Sequence, residues 1–112
     1  MKCIKCFPEN MDNRQKFAMM TSDNTKRMID LKGVVILPEA WVLYEGEDRR
    51  NGEAVEILTI KADGELFSTI SQVFIRKFKD IADFFGSDVG EILVNTGTSK
   101  NGREFVTVDV SW

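Results

Sequence analysis

The chain offers few groups that could do covalent chemistry. Cys3 and Cys6 form a Cys-x-x-Cys, the spacing of half a zinc site or of a thiol redox pair. A structural zinc site needs four ligands, and no second pair stands elsewhere. There is no histidine at all, which removes the commonest general base and the commonest zinc ligand. A redox pair wants a helix start within a thioredoxin-like context, which the segment around these cysteines lacks. The carboxylates of "EGEDRRNGE" and "KDIADFFGSD" show no acid/base or metal-binding spacing. The glycines of "GTSKNG" do not follow a strand and open a helix, as a phosphate-cradling loop requires. These residues predict a binding protein and not an enzyme, with no metal, no cofactor and no small-molecule substrate.

Non-covalent chemistry is better represented. In "GTSKNGREFVTVDV", Val106, Val108 and Val110 alternate with Phe105, Thr107 and Asp109. Because strand side chains alternate between faces, core-facing valines leave Phe105 pointing outward, beside Arg103 and Lys100. An outward ring next to two cations suits stacking a base while the cations meet phosphates. A second polar loop carries Arg49 and Arg50.

Size and composition bound the elements that must position these groups. The 112 residues are enough for one domain with a real core and too few for two ordinary ones. With 43% hydrophobic and 29% charged residues the chain is not a disordered one. No apolar run approaches the ~20 residues of a membrane span, and "MKCIKCFPEN" lacks the apolar core of a secretory signal. The expectation is a soluble cytoplasmic protein with no membrane partner. A net charge of −3 argues against wrapping duplex DNA over the whole surface but permits a local basic groove.

Along the chain, residues 1–32 read as an N-terminal arm and 33–112 as a barrel, within one structural domain. In the arm, Ser22 or Asp23 is placed to cap a short helix carrying Met28, Ile29 and Leu31 and stopping near Gly33. "VVILPEAWVLYEG" then reads as one long strand, bent at Pro38. A second strand, "AVEILTIKA", joins a third, "ELFSTI", through the Asp63-Gly64 hairpin signal. Leu66 and Ile70 are expected in the core, with Phe67 on the opposite face. Phe74, Phe78, Ile81 and Phe85 fall on one helical stripe between Ser71 and Gly86, predicting a helix whose phenylalanines pack on a sheet. "EILVNTG" and "REFVTVDVS" complete five strands. The prediction is a mainly β chain with one or two helices: a five-stranded OB-fold barrel with its helix between strands three and four, behind a short helical arm. Such barrels bind oligonucleotides on strands two and three and in the loops one-two and four-five. Trp41 and Tyr44 lie on opposite faces of the first strand, and one of them is expected to reach the ligand. Trp112 is expected to pack on the barrel or on a partner.

From Gly33 to Val110, "WVLYEGE", "DGELFSTISQVFIRKFKDI" and above all "GTSKNGREFVTV" resemble the small single-stranded DNA-binding proteins of phages and other bacterial mobile elements. The resemblance implies an OB-type barrel that coats single-stranded DNA with little sequence preference during replication or transfer. It implies Lys100 and Arg103 as DNA-facing cations, and Phe105 and Phe67 as stacking platforms. Trp41 and Tyr44 match the aromatic first strand without a settled role. After Ser111 and Trp112 there is no acidic recruiting tail, which puts that recruiting role in doubt. The acidic balance suggests modest affinity per monomer, raised by homo-dimerisation or cooperative binding. A protein-interaction module, such as a phage-encoded regulator of a host protein, is the alternative, because protein partners do not require a positive groove.

Overall fold

The computed structural model describes residues 1–48 and 50–112. In chain order it contains β1 (Lys2–Phe7), α1 (Asn13–Thr21), β2 (Lys26–Arg27), a single 3-10 turn (Met28–Leu31), β3 (Val35–Ile36) and β4 (Ala40–Glu47). β5 (Ala54–Ala62), β6 (Glu65–Thr69), α2 (Gln72–Phe85), β7 (Ile92–Thr98) and β8 (Glu104–Val110) follow.

The strands form two sheets, and neither closes on itself. One has the order β1-β4-β5-β6-β2 and the other β3-β7-β8. The expected OB-fold barrel is therefore corrected to a mixed α/β fold with two open sheets. Two local causes are visible. The stretch around Pro38 does not bend as one strand but breaks into β3, which pairs with β7, and β4, which pairs with β1 and β5. The outer sides of β4 and β6, through which a barrel would close, are occupied by β1 and β2.

Other local signals fold as their chemistry dictates. Asp63 and Gly64 take φ of 52° and 74°, the paired left-handed conformation of a two-residue hairpin, and join β5 to β6. Ser71 caps α2 by accepting from the Phe74 N–H, and Gly86 ends it at φ 75°. Phe74, Phe78 and Ile81 are buried as the stripe requires, and Trp41 meets Phe78 edge-on at 5.2 Å. Phe85 departs from the expectation: it is the last residue of α2, where the stripe outruns the core, and it is half exposed.

The N-terminal residues are more than an arm. The helix there is α1, whose N-cap is Asp12, accepting from the Gln15 N–H. Residues 28–31 make only one 3-10 turn, yet its Met28 is fully buried in the main core. β1 pairs with β4 across a register shift between Cys3 and Lys5. Three residues apart in a regular strand, Cys3 and Cys6 would face opposite ways. The extra residue, Ile4, puts them opposite Tyr44 and Val42, on one face.

The five-stranded sheet thus has two unlike faces. Trp41, Leu43, Leu58, Ile60 and Phe67 look inward at α2 and the smaller sheet, completing the main core with Val94, Val106 and Val108. Cys6, Val42 and Tyr44 look outward and form a smaller cluster with Met11 and Met19 from the α1 region. Among the described residues no helix is long and apolar enough to cross a membrane, and no group of three or more metal-ligating side chains comes together.

Candidate nucleic-acid interface

The β7–β8 hairpin is built to display its polar tip. Ser99 N–H donates to the Arg103 carbonyl at 2.8 Å, Gly102 N–H to the Ser99 carbonyl at 2.9 Å, and Arg103 N–H to Ser99 Oγ at 3.2 Å. Gly102 takes φ 78°, which a side chain would strain. With the turn's backbone satisfied internally, Lys100 and Arg103 stand exposed, and neither has a carboxylate partner among the described residues. Behind them Phe105 lies opposite Gly97. A Cβ on Gly97 would come within 2.6 Å of Phe105 Cζ, so the ring rests directly on the glycine backbone. Phe105 is half-buried, while Val106 and Val108 on the other face are buried.

The β4–β5 loop uses its charge differently. Asp48 is buried and accepts from Arg50 three times: from its N–H at 2.9 Å, its Nε at 3.2 Å and its Nη2 at 3.0 Å. These hydrogen bonds, the side-chain ones foremost, hold the Asp48 carboxyl below its usual range. Arg50 is thereby committed to its own loop. Arg49 lies outside the described residues.

Between these two loops runs a groove of three depressions that share walls. The first lies between residues 22–25 and the outward face of β4, β5 and β6, with Tyr44, Ile57, Thr59 and Ser68 in its lining. Ser68 and Ile70 also line the second, together with Arg27 and Ile29. Arg27 and Ile29 continue into the third, which Lys32 and Glu104 complete, one residue after Arg103. Arg27 pairs with Asp30 at 3.2 Å and Lys32 with Glu104 at 3.8 Å, all four side chains being well exposed. Such pairs are weak in water, so these cations can exchange partners at little cost.

Residues 14–111 match the family model of the phage single-stranded DNA-binding protein. The chain belongs to that family. No curated protein and no solved structure matches it. As a phage-type single-stranded DNA-binding protein it is a DNA-binding protein and not an enzyme. The match takes in α1 and the 3-10 turn as well as the strands, while β1 lies outside it.

In this single-stranded DNA-binding protein, Phe67, expected on the outer face, is inside, and of Trp41 and Tyr44, one of which is expected to reach the ligand, Tyr44 takes the outward face and lines the groove. Phe67 is buried in the main core, and Leu66 takes the outward side. The hairpin register decides this, pairing Phe67 with Ile60 and so with Trp41. "ELFSTI" offers two apolar alternations, and the one that buries the larger aromatic prevails. Trp41 is buried, its Nε1–H donating to the Ser87 carbonyl at 3.0 Å. Tyr44 is on the outward face but covered, its hydroxyl donating to the Met20 carbonyl at 3.3 Å. Trp112 is fully exposed. Arg27 and Lys32 were missed because they lie in what reads as an accessory arm. The signal is the cluster "KRMIDLK", whose Arg27, Ile29, Asp30 and Lys32 all line the groove.

Proposed function

We propose that this protein holds single-stranded DNA along the groove that starts at the Lys100 and Arg103 turn, with little preference for sequence. Lys100 and Arg103 meet phosphates at the turn, Phe105 stacks a base on the side of β8 opposite the groove wall of Glu104 and Val106, and Arg27 and Lys32 follow the backbone inward. The observation that carries this is the run of depressions with common walls leading to a turn whose two cations have no carboxylate partner among the described residues. The coat serves DNA replication or transfer in the cytoplasm of the bacterial host. Phe84 and Phe85, both exposed and edge-on at 5.1 Å, are the surface we assign to self-association. They also suit the protein-docking alternative, and self-association accounts for them equally.

The test is a titration of labelled oligo-dT followed by anisotropy at several salt concentrations. Saturable binding that weakens with salt is expected, with a log–log slope of roughly −0.7 per phosphate contacted. Absence of binding at micromolar protein in low salt would overturn the reading. Sedimentation of the same samples should show a species larger than the monomer that Phe84→Ala/Phe85→Ala removes; an unchanged species removes self-association from the account.

A further inference from the structure

The first depression of the groove is chemically unlike the other two. It encloses about 400 Å³, within the range of small-molecule pockets. Among the described residues its lining carries the carboxylates of Asp23 and Glu47, that of Asp48, which Arg50 already holds, and the hydroxyls of Ser22, Thr25, Thr59 and Ser68, with no cation in the lining itself. A phosphate is the wrong occupant for such a wall. Tyr44 and Ile57 supply an apolar and aromatic side. Thr59 is 1% exposed, and its Oγ1 is the one buried side-chain polar atom without a hydrogen-bond partner among the described residues. Thr59 and Ser68 are direct cross-strand partners on the same outward face, so their hydroxyls sit side by side. A buried hydroxyl without a partner is destabilising until something supplies one.

We infer that this depression receives one nucleobase of the bound strand and favours bases that carry an exocyclic amino group. The inference rests on the single-strand reading of the groove above. A base is flat and largely apolar with a polar edge, which matches a wall of tyrosine and isoleucine rimmed by acceptors. Arg27 and Lys32 in the adjoining depressions then take the phosphates on that base's flank. The cytosine N4 amino group donates to a carboxylate, whereas the O4 of uracil or thymine at the same place would face one acceptor with another. One position per protomer therefore discriminates within a coat that is otherwise indifferent to sequence.

Oligo-dC and oligo-dU of equal length isolate the group at C4, since neither carries the thymine methyl. At neutral pH and moderate salt, oligo-dC is expected to bind about fivefold tighter or more. Asp23→Asn, at an exposed turn position, should bring the ratio toward one, as should Thr59→Val, which keeps the shape and removes the hydroxyl. Thr59→Val should melt no lower than the parent protein, which separates loss of discrimination from loss of fold. Equal affinity for oligo-dC and oligo-dU in the parent protein, or a ratio retained in both variants, overturns the inference and leaves the single-strand reading standing. Failure to bind either oligonucleotide overturns the reading beneath it.

Discussion

The β4–β5 loop and the β7–β8 turn each carry two cations in the sequence but have opposite electrostatic economies. In the first, a buried carboxylate takes three hydrogen bonds from Arg50 and fixes the loop's shape. In the second, backbone and Ser99 hydrogen bonds fix the shape, so Lys100 and Arg103 are left over. A cation consumed by its own loop is structural, and a cation displayed by a loop that is already satisfied is available to a partner. Counting positive charges in a sequence cannot separate the two, because the difference lies in whether an acceptor has been buried nearby.

The largest effect that sharpens this contrast is expected at Phe105. Phe105→Ala should cost ~1–3 kcal/mol of binding to oligo-dT, with a thermal midpoint close to the parent's; a large drop in midpoint with binding intact would make the ring structural. Lys100→Ala/Arg103→Ala comes next. Two lost phosphate contacts at roughly 0.7 each should flatten the salt slope by about 1.4, equally for all sequences, and an unchanged slope would place both side chains off the DNA. Arg50→Ala should have the smallest effect on binding and act on stability instead. Its pH dependence gives the sign. Asp48 titrates lower when folded than unfolded, so its contribution is complete above the ordinary aspartate range of ~3.9 and disappears as pH falls through the lower folded value. The midpoint gap between parent and Asp48→Asn should therefore be present at neutral pH and shrink in acid; a gap that widens in acid contradicts the hydrogen-bonding assignment.

What could be read from the sequence was whatever local chemistry decides alone. The Asp63-Gly64 hairpin, the capped stripe of α2 and the valine alternation of β8 are each settled within a short local stretch, and all three form, the stripe as far as Ile81. The architecture was not readable in that way. Closure into a barrel depends on which strand occupies an edge, and β1 reaches β4 from some forty residues away through a bulge that hides its alternation. The helix α1 has only Met19 buried within it, so its periodicity is faint. For the site, the hairpin tip was legible because its residues are contiguous. The groove was not, since Tyr44, Thr59, Ser68 and Arg27 come from four separate elements and meet only after folding.

The two edges of the large sheet carry one more consequence, for how copies of this chain can meet. At one edge β1 presents Lys2, Lys5 and a bulge; at the other, β2 is two residues long and consists of Lys26 and Arg27. Charge, brevity and irregularity each discourage a neighbouring chain from adding its own strand. Where copies of this chain crowd together, these two edges disfavour joining of their large sheets backbone to backbone. Contact between copies is then left to side-chain surfaces such as Phe84 and Phe85 and to the DNA strand they share.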